Sequence, residues 1–259
     1  MRLHIVPARQ GIQWVKLGIQ TFFRQPMAMA GQFFLFMAVM SLLGMVPLLG
    51  PLVAIVLIPA ATVGLMAATR EASAGRFPMP GLLISAFRAG AGPARSMLIL
   101  GCMYAAGFAL VLSSTALADG GKFMQVYLGN AALTEELVTD NSFMVASLMF
   151  TALYLPLNLL FWHAPALVLW HGVAPVKSLF FSLVACFRNF WALTLYSLAW
   201  TLVALALFLL VASVAAMIGG PQAIPAMLYP MGLLIAAMFF TSIYFTFRDS
   251  FDLGAEANP

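Results

Sequence analysis

From Met27 to Thr69 the chain carries no charged residue. A helix needs about 20 predominantly apolar residues to cross the hydrocarbon of a bilayer, so this run holds two crossings. They are separated at Pro47-Leu48-Leu49-Gly50-Pro51, where the prolines stop one helix and the glycine turns the chain. Spans are expected at 27–46 and 52–69. Composition agrees: hydrophobic residues make up 63% and charged residues 8%, against about 45–50% and about 25% in soluble domains. So few charges cannot cover a water-facing surface, and the solvent must be lipid.

Further spans are expected at 97–118, 143–170, 190–218 and 226–247. That makes six in a single integral membrane domain covering 1–259. Pro156 and Pro165 interrupt the fourth, Gly219-Gly220-Pro221 ends the fifth, and the polar tail after Arg248 should fray toward Pro259. The second carries Ala60, Gly64 and Ala68 four apart, a stripe on which another helix could approach closely, although any alanine-rich span would read the same. At the N-terminus Arg2, Arg9, Lys16 and Arg24 leave no uninterrupted apolar core of the kind a secretory signal has, so the segment should stay on the protein.

Three shorter segments precede pairs of spans. In 8–25, Ile12, Val15, Ile19, Phe22 and Phe23 fall on one helical face and Arg9, Gln13, Lys16, Gln20 and Arg24 on the other. Residues 78–90 repeat this more weakly, with Leu82, Leu83, Ala86 and Phe87 against Ser85 and Arg88. In 175–189, Val176, Leu179, Phe180, Leu183, Val184 and Phe187 follow helical spacing while Lys177, Ser178, Ser182 and Arg188 fall elsewhere. Basic amphipathic helices of this kind lie in the headgroup layer. Each contains an aromatic followed by arginine: TFFRQP, SAFRAG and ACFRNF. The expected fold is therefore an all-α membrane bundle of six transmembrane helices with three interfacial amphipathic helices. It suggests a threefold internal repeat over about 8–75, 78–170 and 174–250, although three separate positive anchors would place the arginines alike.

Six crossings put both ends on one side. There lie Arg2, Arg9, Lys16, Arg24, Arg70, Arg76, Arg88, Arg95, Lys177, Arg188 and Arg248, which leaves only Lys122 of the 12 lysines and arginines opposite. Positive residues collect in the cytoplasm, so both termini should be cytoplasmic in a bacterial inner membrane. The acidic loop 119–142, with Asp119, Glu135, Glu136 and Asp140, should then be extracytoplasmic, folded into one or two short helices that cap the bundle.

The chemistry this sequence can carry is narrow. Ion-coupled transport needs ionisable residues inside the bilayer, and the expected hydrocarbon cores hold only His163, with Asn158 and Gln32 the most polar neutral residues. His163 and His171 are interrupted by Pro165 and lack a third ligand, and Cys102 and Cys186 have no metal-binding spacing. No metal site, catalytic residue or cofactor is expected. There is no nucleophile elbow, phosphate loop, HExxH or paired-carboxylate constellation, so an enzyme is the least favoured class. Basic residues do not interleave with aromatics in a way that suits nucleic acid.

The stretch 163–189 resembles a betaproteobacterial family of multi-pass inner-membrane proteins, the BPSS type, whose activity is unassigned. The matching residues are Ala164-Pro165-Ala166-Leu167-Val168, Gly172, Pro175, Ser182 and Ala185-Cys186-Phe187-Arg188-Asn189. The pattern from Trp14 to Pro26 is similar to that family's start. The order of interfacial helix and hairpin is also similar, at fold level alone, to the membrane domain of some bacterial glycerophosphodiesterases. The resulting expectation is a non-enzymatic protein that engages anionic lipids, or a membrane-protein partner or second copy of itself, in envelope organisation. Arg24, Arg88, Arg188, Lys16 and Lys177 would hold headgroups. The alternative is a transporter or flippase for a neutral or lipidic solute, with the proline-broken fourth span as its moving part.

Overall fold

A computed structural model describes residues 2–47, 49–220 and 222–251. The expected frayed tail beyond Phe251, and Pro221 in the turn after the fifth span, lie outside the described residues. The helices are α1 (Gln10–Arg24), α2 (Pro26–Gly44), α3 (Gly50–Ser73), α4 (Ser85–Arg88), α5 (Ala91–Ser114), α6 (Ala116–Asp119), α7 (Lys122–Tyr127), α8 (Glu135–Thr139), α9 (Asn141–Phe161), α10 (Ala164–His171), α11 (Pro175–Arg188), α12 (Phe190–Gly219) and α13 (Ala223–Ser250). Six stretches are long and apolar enough to cross a membrane: Pro26–Gly44, Gly50–Ser73, Ala91–Asp119, Asn141–His171, Phe190–Ile218 and Ile224–Ser250. The all-α, six-span architecture read from the sequence is thus the observed one.

Helix starts follow local chemistry. Prolines stand in the first turn of α2, α3, α10 and α11, where a missing N–H costs nothing. Gly172 closes α10 in the left-handed conformation, φ 62°. Helix α3 is the most buried span and packs against α2, α5, α10 and α13. Its Ala60–Gly64–Ala68 stripe is buried and accepts the 78–90 segment: a Cβ on Gly64 would lie 2.6 Å from the Leu83 Cα. That segment is not one amphipathic helix. It is a 3-10 turn, Pro80–Ile84, followed by the single turn of α4.

The fourth span also differs from a kinked single helix. Helix α9 stops at Phe161, and after Trp162 and His163 the buried α10 begins. At about 1.5 Å per residue α9 alone is long enough to cross the hydrocarbon. Its loose end is closed from α11. The Ser182 hydroxyl donates to the Leu159 carbonyl at 2.8 Å and accepts from the His163 N–H at 3.0 Å. Pro156, by contrast, is absorbed within α9.

Helix α1 docks against α12 and α13, burying Gly11, Trp14, Val15, Gly18, Thr21 and Phe22. The approach is close enough that a Cβ on Gly11 would sit 2.1 Å from the Ala192 carbonyl oxygen, and one on Gly18 2.4 Å from the Ser242 Cβ. Lipid gives helices little hydrophobic reason to associate, so small residues that admit a neighbour's backbone take over that role. Gln10 Nε2 and Trp14 Nε1 both donate to Asp249 Oδ2, at 2.7 and 2.9 Å.

The segment before α1 is tied to the end of α13. Leu3 forms an antiparallel bridge with Phe251, and the His4 N–H donates to the Ser250 carbonyl at 2.9 Å. Asn189, between α11 and α12, completes this clasp. Its Oδ1 accepts from the Val6 N–H at 2.9 Å, and its Nδ2 donates to the His4 carbonyl at 3.1 Å and to Ser250 Oγ at 3.3 Å. Both described ends of the chain therefore lie at one end of the bundle, called the terminal end below.

Candidate functional site

Two places gather the residues singled out by the sequence. The first is the terminal end. Arg24, Arg88 and Arg188 are each the last residue of a short helix, α1, α4 and α11, where a cation complements the negative end of the helix dipole. Each is followed within three residues by a span. None of the three forms an ion pair among the described residues, and nor do Lys16 or Lys177. Ion pairs among the described residues include Arg76–Glu71, Arg248–Asp249 and Lys122–Asp140. Arg24, Arg88, Arg188, Lys16 and Lys177 are all exposed. The three arginines stand on different elements with no hydrogen bond between them, so the structure gives a distributed basic surface. It does not give a single pocket.

Helix α11 divides into three faces. Ser178, Ser182, Ala185 and Cys186 are buried against the bundle. The apolar stripe seen in the sequence turns away from it: Val176 is 67%, Phe180 61% and Phe187 62% exposed. Lys177 and Arg188 lie between these faces. Helix α1 shows the same partition less sharply, with Ile12 and Phe23 exposed beside Lys16.

The second place is a cavity of about 270 Å³ inside the bundle, between α2, α3, α5, α9, α10 and α13. It opens where prolines interrupt regular packing: Pro59 in the middle of α3 and Pro165 at the start of α10 both line it. Pro59 has no N–H to offer the Ile55 carbonyl. Phe36, Ile58, Phe161, Trp162, Phe239, Phe240 and Ile243 supply apolar wall, and Tyr104, Tyr154, Asn158 and Thr62 supply its polar atoms. The Tyr104 and Tyr154 hydroxyls are 3.2 Å apart.

Of the three intramembrane polar residues expected from sequence, only Asn158 reaches the cavity. Gln32 is buried on α2 and donates through Nε2 to the Pro78 carbonyl at 2.7 Å, stapling α2 to the loop after α3, while its Oε1 has no partner. His163 sits at the α9–α10 break, fully buried. Its ring lies against Phe247 and Phe251 with centroids 5.9 and 5.5 Å away, and no hydrogen bond reaches Nδ1. Among the described residues no three His, Cys, Asp or Glu side chains gather as a metal would require, and Cys102 and Cys186 are free thiols. The sequence reading missed Tyr104 and Tyr154. Tyrosines of spans usually sit at the interfaces, and these two, well inside α5 and α9, carried a signal in that displacement.

At the opposite end, the 119–142 loop folds into α6, α7 and α8. Asp119 is buried and accepts the N–H groups of Gly121 at 2.8 Å and Phe123 at 2.6 Å, fixing the turn into α7. Asp140 accepts from Lys122 Nζ at 2.6 Å and from the Ser142 N–H and hydroxyl at 2.9 and 2.8 Å. The Lys122 ammonium, followed by the Ser142 donors, holds the Asp140 carboxyl down at about 2.

No family model matches the chain, and no solved structure matches it. A probable inner membrane protein of Burkholderia thailandensis is 36% identical over 263 residues, covering 100% of this chain and 97% of the relative. Similarity that runs from end to end takes in the six spans, the helix break and the terminal clasp together. The chain belongs to the betaproteobacterial inner-membrane protein family of which that Burkholderia protein is a member.

Proposed function

We propose that the protein is a non-enzymatic inner-membrane protein that holds anionic lipid at its basic, cytoplasmic end and so helps organise the envelope. The three-faced partition of α11 carries this reading. In water a helix buries its large apolar residues, yet here Val176, Phe180 and Phe187 face outward while serines, an alanine and a cysteine face the protein. That arrangement suits a helix whose outer face meets acyl chains, with Lys177 and Arg188 at headgroup level. Arg24 and Lys16 on α1 and Arg88 on α4 extend the basic surface, and cations without acidic partners are available to phosphates. A membrane-protein partner or second copy could share this face. The likeness to glycerophosphodiesterase membrane domains remains an analogy of fold and carries no part of the proposal.

The test is native mass spectrometry of the purified protein with phosphatidylglycerol or phosphatidylcholine. The variant Arg24→Gln/Arg88→Gln/Arg188→Gln should retain several-fold less phosphatidylglycerol and an unchanged amount of phosphatidylcholine; equal retention of phosphatidylglycerol would remove the proposal. The competing reading, a carrier of a neutral or lipidic solute, draws on the central cavity. Solute uptake or lipid scrambling in proteoliposomes separates the two.

A further inference from the structure

The central cavity has a hydrogen-bonding balance that its own residues do not close. Two phenols 3.2 Å apart share one proton between them, and neither Tyr104 nor Tyr154 makes another hydrogen bond among the described residues. One phenolic proton therefore has no acceptor in the protein. One helical turn beyond Tyr154, Asn158 gives its Nδ2 to the Tyr154 carbonyl at 2.9 Å, and its Oδ1 receives nothing among the described residues. The remaining side-chain donors are already committed. The Thr62 hydroxyl donates to the Ile58 carbonyl at 2.9 Å, and Trp162 Nε1 donates to Thr246 Oγ1 at 3.0 Å. What the cavity offers an occupant is a phenolic O–H and the second Asn158 N–H as donors, and Asn158 Oδ1 as an acceptor, set in a wall of rings and aliphatic side chains.

A hydroxyl group is the simplest partner that both accepts and donates. A charged group would meet no counter-ion, because the lining contains no Asp, Glu, Lys, Arg or His, and an unpaired charge away from water is strongly disfavoured. The volume of about 270 Å³ is just below the range of about 300–1,000 Å³ usual for small-molecule sites. It fits a headgroup and the first part of a chain better than a whole phospholipid. We propose that this cavity binds a neutral, hydroxyl-bearing lipid, with the Tyr104–Tyr154 pair donating to its oxygen and Asn158 accepting its proton. The inference names a ligand class for the site used by the carrier reading but does not rest on movement of that ligand. Binding without uptake would leave it standing and remove the carrier.

The experiment titrates the full chain in detergent with 10-bromodecan-1-ol and follows quenching of tryptophan fluorescence, with Trp162→Phe subtracted to isolate the cavity-lining indole. Saturable quenching is expected. The apparent affinity should fall about tenfold in Tyr104→Phe/Tyr154→Phe and in Asn158→Leu, as loss of a hydrogen bond implies. It should fall similarly when 1-bromodecane replaces the alcohol, and 10-bromodecanoate at pH 8 should give no saturable component. Thr62→Phe, which fills the cavity, should abolish the signal; if that variant does not fold, the Asn158→Leu comparison decides. Quenching that rises linearly, that saturates equally with 1-bromodecane, or that is unchanged in the tyrosine and asparagine variants overturns the proposal and leaves water as the occupant.

Discussion

Ser182 is the residue on which the α9–α10 break depends. Its hydroxyl serves two buried backbone groups, the Leu159 carbonyl and the His163 N–H, that a continuous helix would have paired internally. In Ser182→Ala the His163 N–H loses its partner and the Leu159 carbonyl keeps only the weak Cys186 thiol donor at 3.7 Å, and an unsatisfied buried group costs about 1–3 kcal/mol. We expect that loss as a lower unfolding midpoint in detergent, with rescue by Ser182→Thr. An unchanged midpoint would mean that other donors close the break. The sequence showed Asn158, Gln32 and His163 as polar residues in apolar runs but not their partners. Gln32 finds Pro78 and Ser182 finds Leu159 across tens of residues, and no periodicity encodes such pairings. The pairing of Tyr104 with Tyr154 was hidden for the same reason, although each tyrosine's place well inside a span marked it singly.

At the scale of elements, periodicity located the amphipathic helices but not the face that each turns to the protein. In water the large apolar stripe is the buried one. In a bilayer both directions are apolar, and close packing selects small residues for the inner face. That is why α11 buries Ser178, Ser182 and Ala185, and why Gly11 and Gly18 set the close approach of α1, whose inner face also holds Trp14, Val15 and Phe22 while Ile12 and Phe23 face outward. Gly11→Leu should therefore push α1 off α12, because its Cβ has no room beside the Ala192 carbonyl. Overpacking of this kind typically costs about 1–3 kcal/mol. Protease accessibility of the α1–α2 junction should rise in that variant and stay unchanged in Ile12→Leu, whose side chain points outward. The 78–90 segment shows the opposite limit. Its weak amphipathic pattern ended as a 3-10 turn and a single turn of helix.

The whole molecule was the most legible level. Absence of charge marked the spans within a few residues, because transfer to hydrocarbon is a strong and local constraint. The six-helix count follows from it. The charge bias extends the reading to orientation: fluorescent-protein fusion after Ser250 should glow in the cytoplasm, whereas alkaline phosphatase fused at Glu135 should be active. The reverse pattern would place the basic surface of α1 and α11 on the wrong side for cytoplasmic anionic lipid. The clasp at the terminal end was not legible, since it joins Leu3 to Phe251, and Asn189 to His4, Val6 and Ser250. It also imposes a timetable. The 3–4 segment finds Ser250 and Phe251 only after α13 has been made. A polypeptide stopped short of α13 leaves the 3–4 backbone without its bridge and Asn189 holding that segment alone, a loose handle that a completed bundle no longer presents.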